Sequence, residues 1–461
     1  MPEPLLNRND ERETLDEAWA RAIDGRSQLA IVWGRRRVGK TFLLSHFVRD
    51  KRAVFFGATE QAEAIELARL HEAVRRDLGA DVSDLSGGGF ASWEAALRFL
   101  AALAIDQPLC VVLDEVPYLT RSTPGFPSVV QVVWDHLRPG TRLMLVLTGS
   151  AVGTIERMLG AGGALRGRPT VSMRLDPLDP AAARVFLPRL SAEGYLEAYA
   201  ACGGYPLHLR AWDGSVGTDA NLLRLAGTTG GLLLDDARGI LREELPDAGG
   251  YSRILAAIGR GRTRISEIGG EAGQRVEHPL GVLIEAGFVR KNVPIGAPRA
   301  ARPAYEIADA YLAFWFGVLY SSIDRIEAGQ GRAVLRARRP DWQRHLGWVF
   351  EAAARGHASR LVTGGQLPED LVVGRWWATS RPPCEVDVLG LRGRRTALLG
   401  EARWQASPLG GRELRDLTAK LACVPDPVAD PILALWGRNG VEPGITGPGV
   451  MGFRVEDVIS P

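Results

Sequence analysis

The chain has 461 residues, 56 basic and 54 acidic, for a formal net charge of +2. That length suits about three domains, each able to bury its own core. Nearly cancelled charge excludes a chain-wide pull toward nucleic acid, so such a contact has to come from a local basic patch.

At the amino terminus, Met1-Pro2-Glu3-Pro4 shows neither the basic start nor the apolar stretch of a secretory leader. No apolar run reaches the roughly 20 residues of a membrane span. A cytoplasmic protein with no membrane partner is expected. Leu6-Asn7-Arg8 and an amphipathic helix over residues 11–23 come next, where an entry helix can pack beside a bound nucleotide. Arg8 either approaches the base or sugar, or is a solvated arginine at a helix start.

The apolar run Leu29-Ala30-Ile31-Val32-Trp33 predicts a strand, and the pattern over residues 42–48 predicts a helix. Between them stands Gly34-Arg35-Arg36-Arg37-Val38-Gly39-Lys40-Thr41, with the spacing G-x-x-x-x-G-K-[ST]. Glycines at these two positions let the backbone curl so that its N–H groups and the new helix N-terminus surround phosphates. Lys40 then reaches the β- and γ-phosphates, and Thr41 offers its hydroxyl to Mg²⁺. Gly34 through Thr41, with Phe42, are the expected nucleotide-binding residues, and ATP with Mg²⁺ the expected ligand.

Ala53-Val54-Phe55-Phe56 reads as the next strand, followed by helical pattern to Leu78. Leu85-Ser86-Gly87-Gly88-Gly89 looks like a transporter-ATPase signature, but its interval from Lys40 is too short for that fold's inserted helical region. A loop is expected there, then a helix over residues 93–104. Leu109-Cys110-Val111-Val112-Leu113-Asp114-Glu115 predicts a buried parallel strand ending in two acids, where ligands bind in open α/β sheets. Asp114 is expected to hold Mg²⁺, and Glu115 to polarise the attacking water. Leu143 to Gly149 predicts another such strand, with Thr148 and Ser150 as candidate sensors of the γ-phosphate. Arg166 and Arg168 lie in a Gly-rich loop before a strand over residues 170–175, and Arg168 is a candidate arginine finger in an assembly of several copies.

Helical periodicity runs from Pro180 to about Leu245, broken by Gly203-Gly204-Tyr205-Pro206. The loop, Asp114-Glu115, Thr148-Gly149-Ser150, Leu165-Arg166-Gly167-Arg168 and Gly204-Tyr205-Pro206 together resemble the archaeal-type ATPase family, related to AAA+ and close to the signal-transducing STAND ATPases. The resemblance implies a P-loop NTPase sheet with a helical lid, and places Pro206 near the bound nucleotide.

From Tyr251 the pattern changes to three short helices and Phe288-Val289-Arg290-Lys291, which fits a winged-helix domain. Over residues 251–305 nine basic residues, among them Arg260, Arg262, Arg264 and Arg299, face four glutamates. This is a local basic patch suited to DNA. Pro279 breaks the third helix's hydrogen bonding unless that helix starts there. The apolar residues of segment 305–316 read as core packing. Residues 332–340 read as a linker, followed by a helix over 342–357, strands over 371–377, 384–391 and 396–404, a helix over 413–422 and a strand over 432–436.

That order is the one of the restriction-endonuclease-like α/β core. On it Glu351, Asp387 and Glu401 resemble the PD-(D/E)xK nuclease set, which implies a second metal site, with Arg403 in the lysine position. An arginine stays protonated and cannot share in activating water. The expected domains are residues 1–175, an ATPase core; 176–245, a lid; 246–335, a winged helix; and 336–461, a nuclease-like tail. An ATPase acting on DNA is expected; the alternative is a regulatory ATP switch controlling a protein partner, its tail non-catalytic. Cys110, Cys202, Cys384 and Cys423 lack metal-ligand spacing and are expected as small buried hydrophobes in a reducing compartment.

Overall fold

Uninterrupted aliphatic runs dominate the first third of the sequence because parallel strands are buried on both faces. The computed structural model describes residues 4–79, 89–245, 248–297, 301–378 and 383–460; the expected turn at Gly87-Gly88 and Arg299 of the basic patch lie outside them. The chain divides into two units, Met1–Pro177 and Leu178–Pro461.

The first unit runs α1 (Asn9–Ile23), β1 (Gln28–Trp33), α2 (Lys40–Phe47), β2 (Ala53–Gly57), α3 (Glu63–Leu78), α4 (Trp93–Asp106), β3 (Leu109–Asp114), α5 (Val116–Ser122), α6 (Phe126–Asp135), β4 (Leu143–Gly149), α7 (Val152–Leu159) and β5 (Val171–Arg174). Its five strands are all parallel, in the order β2-β3-β4-β1-β5. Every residue of β3 and β4 is buried. Helix α4 is started by Ser92, whose hydroxyl accepts the Ala95 N–H, and Trp93 packs edge-on against Phe126 with ring centroids 5.1 Å apart. This sheet brings the carboxyl ends of β1, β3 and β4 side by side, so the three turns that follow them share one edge.

The second unit opens with α8 (Pro180–Ala183), α9 (Ala192–Cys202), α10 (Pro206–Ala211), α11 (Thr218–Ala226) and α12 (Leu232–Glu244). Then come α13 (Ala248–Gly259), α14 (Ile265–Ala272), α15 (Glu277–Glu285) and an antiparallel hairpin of β6 (Val289–Asn292) and β7 (Ala304–Ile307). Pro279 is the third residue of α15, within the first turn whose N–H groups have no intrahelical acceptor, so it costs no hydrogen bond. Next, α16 (Ala310–Phe314), α17 (Ile323–Arg325) and α18 (Gly331–Ala337) are joined through π turns at Trp315–Leu319 and Ile326–Gln330. Tyr311, Phe314, Trp315 and Phe316 are buried there, as core-packing residues should be.

Residues 332–340, expected as a linker, are instead helical: they form most of α18 and the start of α19 (Arg339–Thr363). Pro340 sits in the first turn of α19, where it is compatible with a helix. The remaining elements are β8 (Leu371–Ala378), β9 (Cys384–Arg392), β10 (Arg395–Arg403), α20 (Gly411–Ala419), β11 (Pro427–Gly437), β12 (Val450–Phe453) and α21 (Val455–Ile459). The sheet order is β12-β11-β10-β9-β8, antiparallel from β8 to β10 and parallel from β10 to β12. Strand β12 and α21 had no counterpart in the sequence reading. Cys384 and Cys423 correct another expectation: the return of the chain after α20 sets them together as a disulfide, Cα atoms 6.6 Å apart. Cys110 and Cys202 are buried free thiols. Among the described residues no helix is long and apolar enough to cross a membrane.

Candidate functional site

The loop after β1 is shaped by contacts that leave no room for side chains. A Cβ at Gly34 would fall 2.0 Å from the Leu175 carbonyl oxygen, and Gly39, at φ +97°, caps α2 in the left-handed region. Arg37 also has positive φ. Lys40 begins α2 and is buried; its Nζ donates to the carbonyls of Gly34 at 2.8 Å and Arg35 at 3.0 Å. The ammonium is thus held inside the curl of the loop, where a phosphate oxygen is a stronger acceptor than a peptide carbonyl. Arg35, Arg36, Val38 and Phe42 complete the loop and the first turn of α2.

Thr41, the next residue, donates its hydroxyl to Asp114 Oδ2 at 2.7 Å, across the edge between α2 and the end of β3. Asp114 Oδ1 accepts the Glu115 N–H at 3.0 Å. Burial raises the Asp114 pKa, and the Thr41 hydrogen bond works against that rise. A hydroxyl and a carboxylate in contact form the hard oxygen pair that Mg²⁺ takes, so this donor set fits the cation that accompanies a nucleoside triphosphate. Glu115 sits in the left-handed region at φ 57°, ψ 45°, which turns its side chain out of the line of the strand. Its Oε2 accepts from the Ser150 hydroxyl at 2.9 Å and the Ser150 N–H at 3.1 Å. Thr148, at the end of β4, has a fully buried hydroxyl with no hydrogen-bond partner among the described residues. The structure therefore gathers Lys40, Thr41, Asp114, Glu115 and Ser150 along one sheet edge.

Arg8 is not the solvated arginine of the second reading. It is buried, in the left-handed region at φ 68°, and donates to Val38 O at 3.3 Å and Asp176 O at 2.6 Å. It braces the outer wall of the phosphate loop against the chain after β5. Arg168 makes a two-point pair with Asp135, at 2.9 and 2.8 Å, so reaching a neighbouring molecule requires that pair to open. Pro206 starts α10, directly after the buried Tyr205.

A second group of titratable side chains lies in the carboxyl-terminal sheet. Glu351 projects from α19, Asp387 from β9, and Glu401 from β10. Burial, then the charge of Glu401, raises Asp387 to about 6. Burial, then the charge of Asp387, raises Glu351 to about 7. Asp387 Oδ2 accepts the Ala402 N–H at 3.0 Å. Glu401, 5% exposed, is answered by two cations: Arg403 on Oε1, and Lys420 on Oε2 at 2.6 Å. Among the described residues no three His, Cys, Asp or Glu side chains are gathered closely enough to hold a metal ion, so the expected trio is not drawn together as a cage.

Lys420 was missed in the sequence, since it follows α20, 19 residues beyond Glu401. A signal existed: only four of the 56 basic residues are lysines, Lys40, Lys51, Lys291 and Lys420. In a chain that otherwise chooses arginine, a lysine marks a position where a compact ammonium suits better than a guanidinium.

Residues 315–416 match the DUF234 family, described as archaea bacterial proteins of unknown function. Over 414 residues the chain is 25% identical to an uncharacterized protein of Methanocaldococcus jannaschii, spanning 87% of this chain and 88% of that one. A stretch of 48 residues is 40% identical to an uncharacterized ATP-binding protein of the same organism, spanning 10% of this chain and 76% of that protein. Among solved structures, a Walker-type ATPase of Pyrococcus abyssi is similar at a TM-score of 0.51 and 20% sequence identity, with 68% of this chain and 96% of that one covered. The α/β fold with its parallel five-stranded sheet is thus one that a Walker-type ATPase adopts.

Proposed function

We propose that this protein is an ATPase whose nucleotide state governs its hold on duplex DNA. The observation that carries the reading is the Thr41–Asp114 contact of 2.7 Å beside the loop-held Lys40. Lys40 exchanges its peptide carbonyls for the β- and γ-phosphate oxygens and neutralises their charge. Thr41 and Asp114 would hold Mg²⁺, which supplies further charge neutralisation when bound. Glu115 is the base that orients water, and Ser150 positions Glu115 through two hydrogen bonds. Pro206 and Thr148 are proposed to report the nucleotide state, and Arg168 to act across copies.

For the DNA side, the three helices and hairpin of residues 248–307 support a winged-helix reading, with α15 free to start at its own proline-containing turn. Glu271 takes both Arg260 and Arg262, the latter at 2.5 Å, so these two are less available to phosphates than their sequence suggests. Arg264, Arg290 and Lys291 have no salt bridge among the described residues and are the better candidates. The order of α19 to β11 supports a nuclease-like tail, in which Arg403 and Lys420 are held by Glu401 and meet a DNA backbone only when that pairing opens. A second reading, in which the tail also cleaves, is favoured by one observation: Lys420 brings to Glu401 the ammonium absent at position 403.

Hydrolysis measured with and without duplex DNA tests the reading. Lys40→Ala should abolish nucleotide binding, and Glu115→Gln should keep binding while hydrolysis drops by about 10²-fold or more. Native hydrolysis by Glu115→Gln refutes the assignment of the base. An ATPase rate indifferent to DNA favours the switch that acts on a protein partner.

A further inference from the structure

Helices α11, α16, α18 and α19 of the second unit border an open cavity of about 950 Å³, lined by none of the residues of the two groups described above. One wall is fixed by backbone contact. At the start of α18, a Cβ on Gly331 would lie 1.7 Å from the carbonyl oxygen of Gly227, which follows α11, so the two helices meet there at a separation only glycine permits. Beyond that contact the floor is Leu222, Phe314, Val318 and Trp342, all buried, and the apolar side chains that reach the open space above it are the partly exposed Leu223 and Leu335. Ligand sites of about 300–1,000 Å³ have such an apolar floor with a few placed polar groups at the rim.

The polar groups here are cationic. Four arginines border the cavity against one aspartate. Arg339 is satisfied by Asp219 at 2.8 Å, and Arg224 by the Ala211 carbonyl at 2.6 Å and Asn221 at 2.9 Å. Arg332 and Arg336, one turn apart on α18 and exposed, have neither ion pair nor hydrogen bond among the described residues. Like charges at this spacing repel, and a shared anion removes the cost. Apart from the arginines and Asp219, the polar groups among the described lining residues are the Trp342 indole and Thr228, whose hydroxyl already donates to Arg224 O at 2.8 Å.

We infer that this cavity binds an amphiphilic anion: a free acyl chain ending in a carboxylate or phosphate, its chain against Leu223 and Leu335 and its head between Arg332 and Arg336. Isothermal titration of the full chain, below micelle-forming concentrations, tests it with decanoate, decyl phosphate, decanol and inorganic phosphate. Both amphiphilic anions should bind at one site, decanol at least tenfold more weakly, and phosphate alone not at all. Arg332→Gln with Arg336→Gln should erase the preference for anion over alcohol, and these exposed changes leave the fold intact. Leu223→Trp, which fills the cavity, should remove binding of all three. No binding, equal affinity for decanol, or an unchanged preference in the double variant overturns the inference. So does co-sedimentation with phosphatidic acid vesicles without binding of the free anions, which would assign the arginines to a membrane surface.

Discussion

Replacing Lys420 with methionine removes the ammonium 2.6 Å from Glu401 Oε2 and keeps the length and apolar stem of the side chain. Glu401 is 5% exposed, so its charge is left with half its compensation. Breaking a fully buried ion pair by removing one partner costs about 3–5 kcal/mol. Two features reduce that figure: the Lys420 side chain is 24% exposed, and Arg403 stays on the other carboxylate oxygen. A loss of about 1–3 kcal/mol is therefore expected. At about 2–4 °C per kcal/mol for a unit of this order, calorimetry of the full chain should show the affected transition lowered by several degrees. The same cycle supplies its own control. Glu401→Gln added to Lys420→Met discharges the stranded carboxylate, so the double variant should regain at least half of the loss. Refutation is a single variant that melts with the parent, or a double variant whose loss equals the sum of the two single losses.

Asp387 and Glu351 both have folded pKa values above their unfolded ones, so their ionised forms destabilise the fold. The penalty is absent below about pH 4 and grows as pH rises to about 6 for Asp387 and about 7 for Glu351. Asp387→Asn should accordingly gain in urea midpoint relative to the parent across that window; parallel curves for the two proteins refute the assignment. Gly34→Ala places a methyl 2.0 Å from a backbone oxygen, and should lower stability by about 1–3 kcal/mol and nucleotide affinity by at least tenfold. Circular dichroism melts and nucleotide titration check it, with parental behaviour in both as the contrary result.

The sequence by itself determined the first unit's strands and its phosphate loop, because their signals are local: aliphatic runs of strand length and two glycines at fixed spacing. It also determined the order of helices and strands in the tail through β11, since each element carries its own period. Short or irregular elements escaped it. Helix α18 was read as a linker because its arginines mask a weak apolar stripe, and β12, four half-buried residues, has too little alternation to register. Only the tertiary structure decided who meets whom. Arg8 reaches Val38 and Asp176, Glu271 takes both Arg260 and Arg262 out of a patch whose net positive charge gives no pairing, and Cys384 finds Cys423. Lys420 reaches Glu401 in the same way, adding an ammonium beside the guanidinium of Arg403. Periodicity fixes which face of an element is buried, but a contact between distant side chains depends on strand register and helix packing, and neither is written in the spacing of residues along the chain.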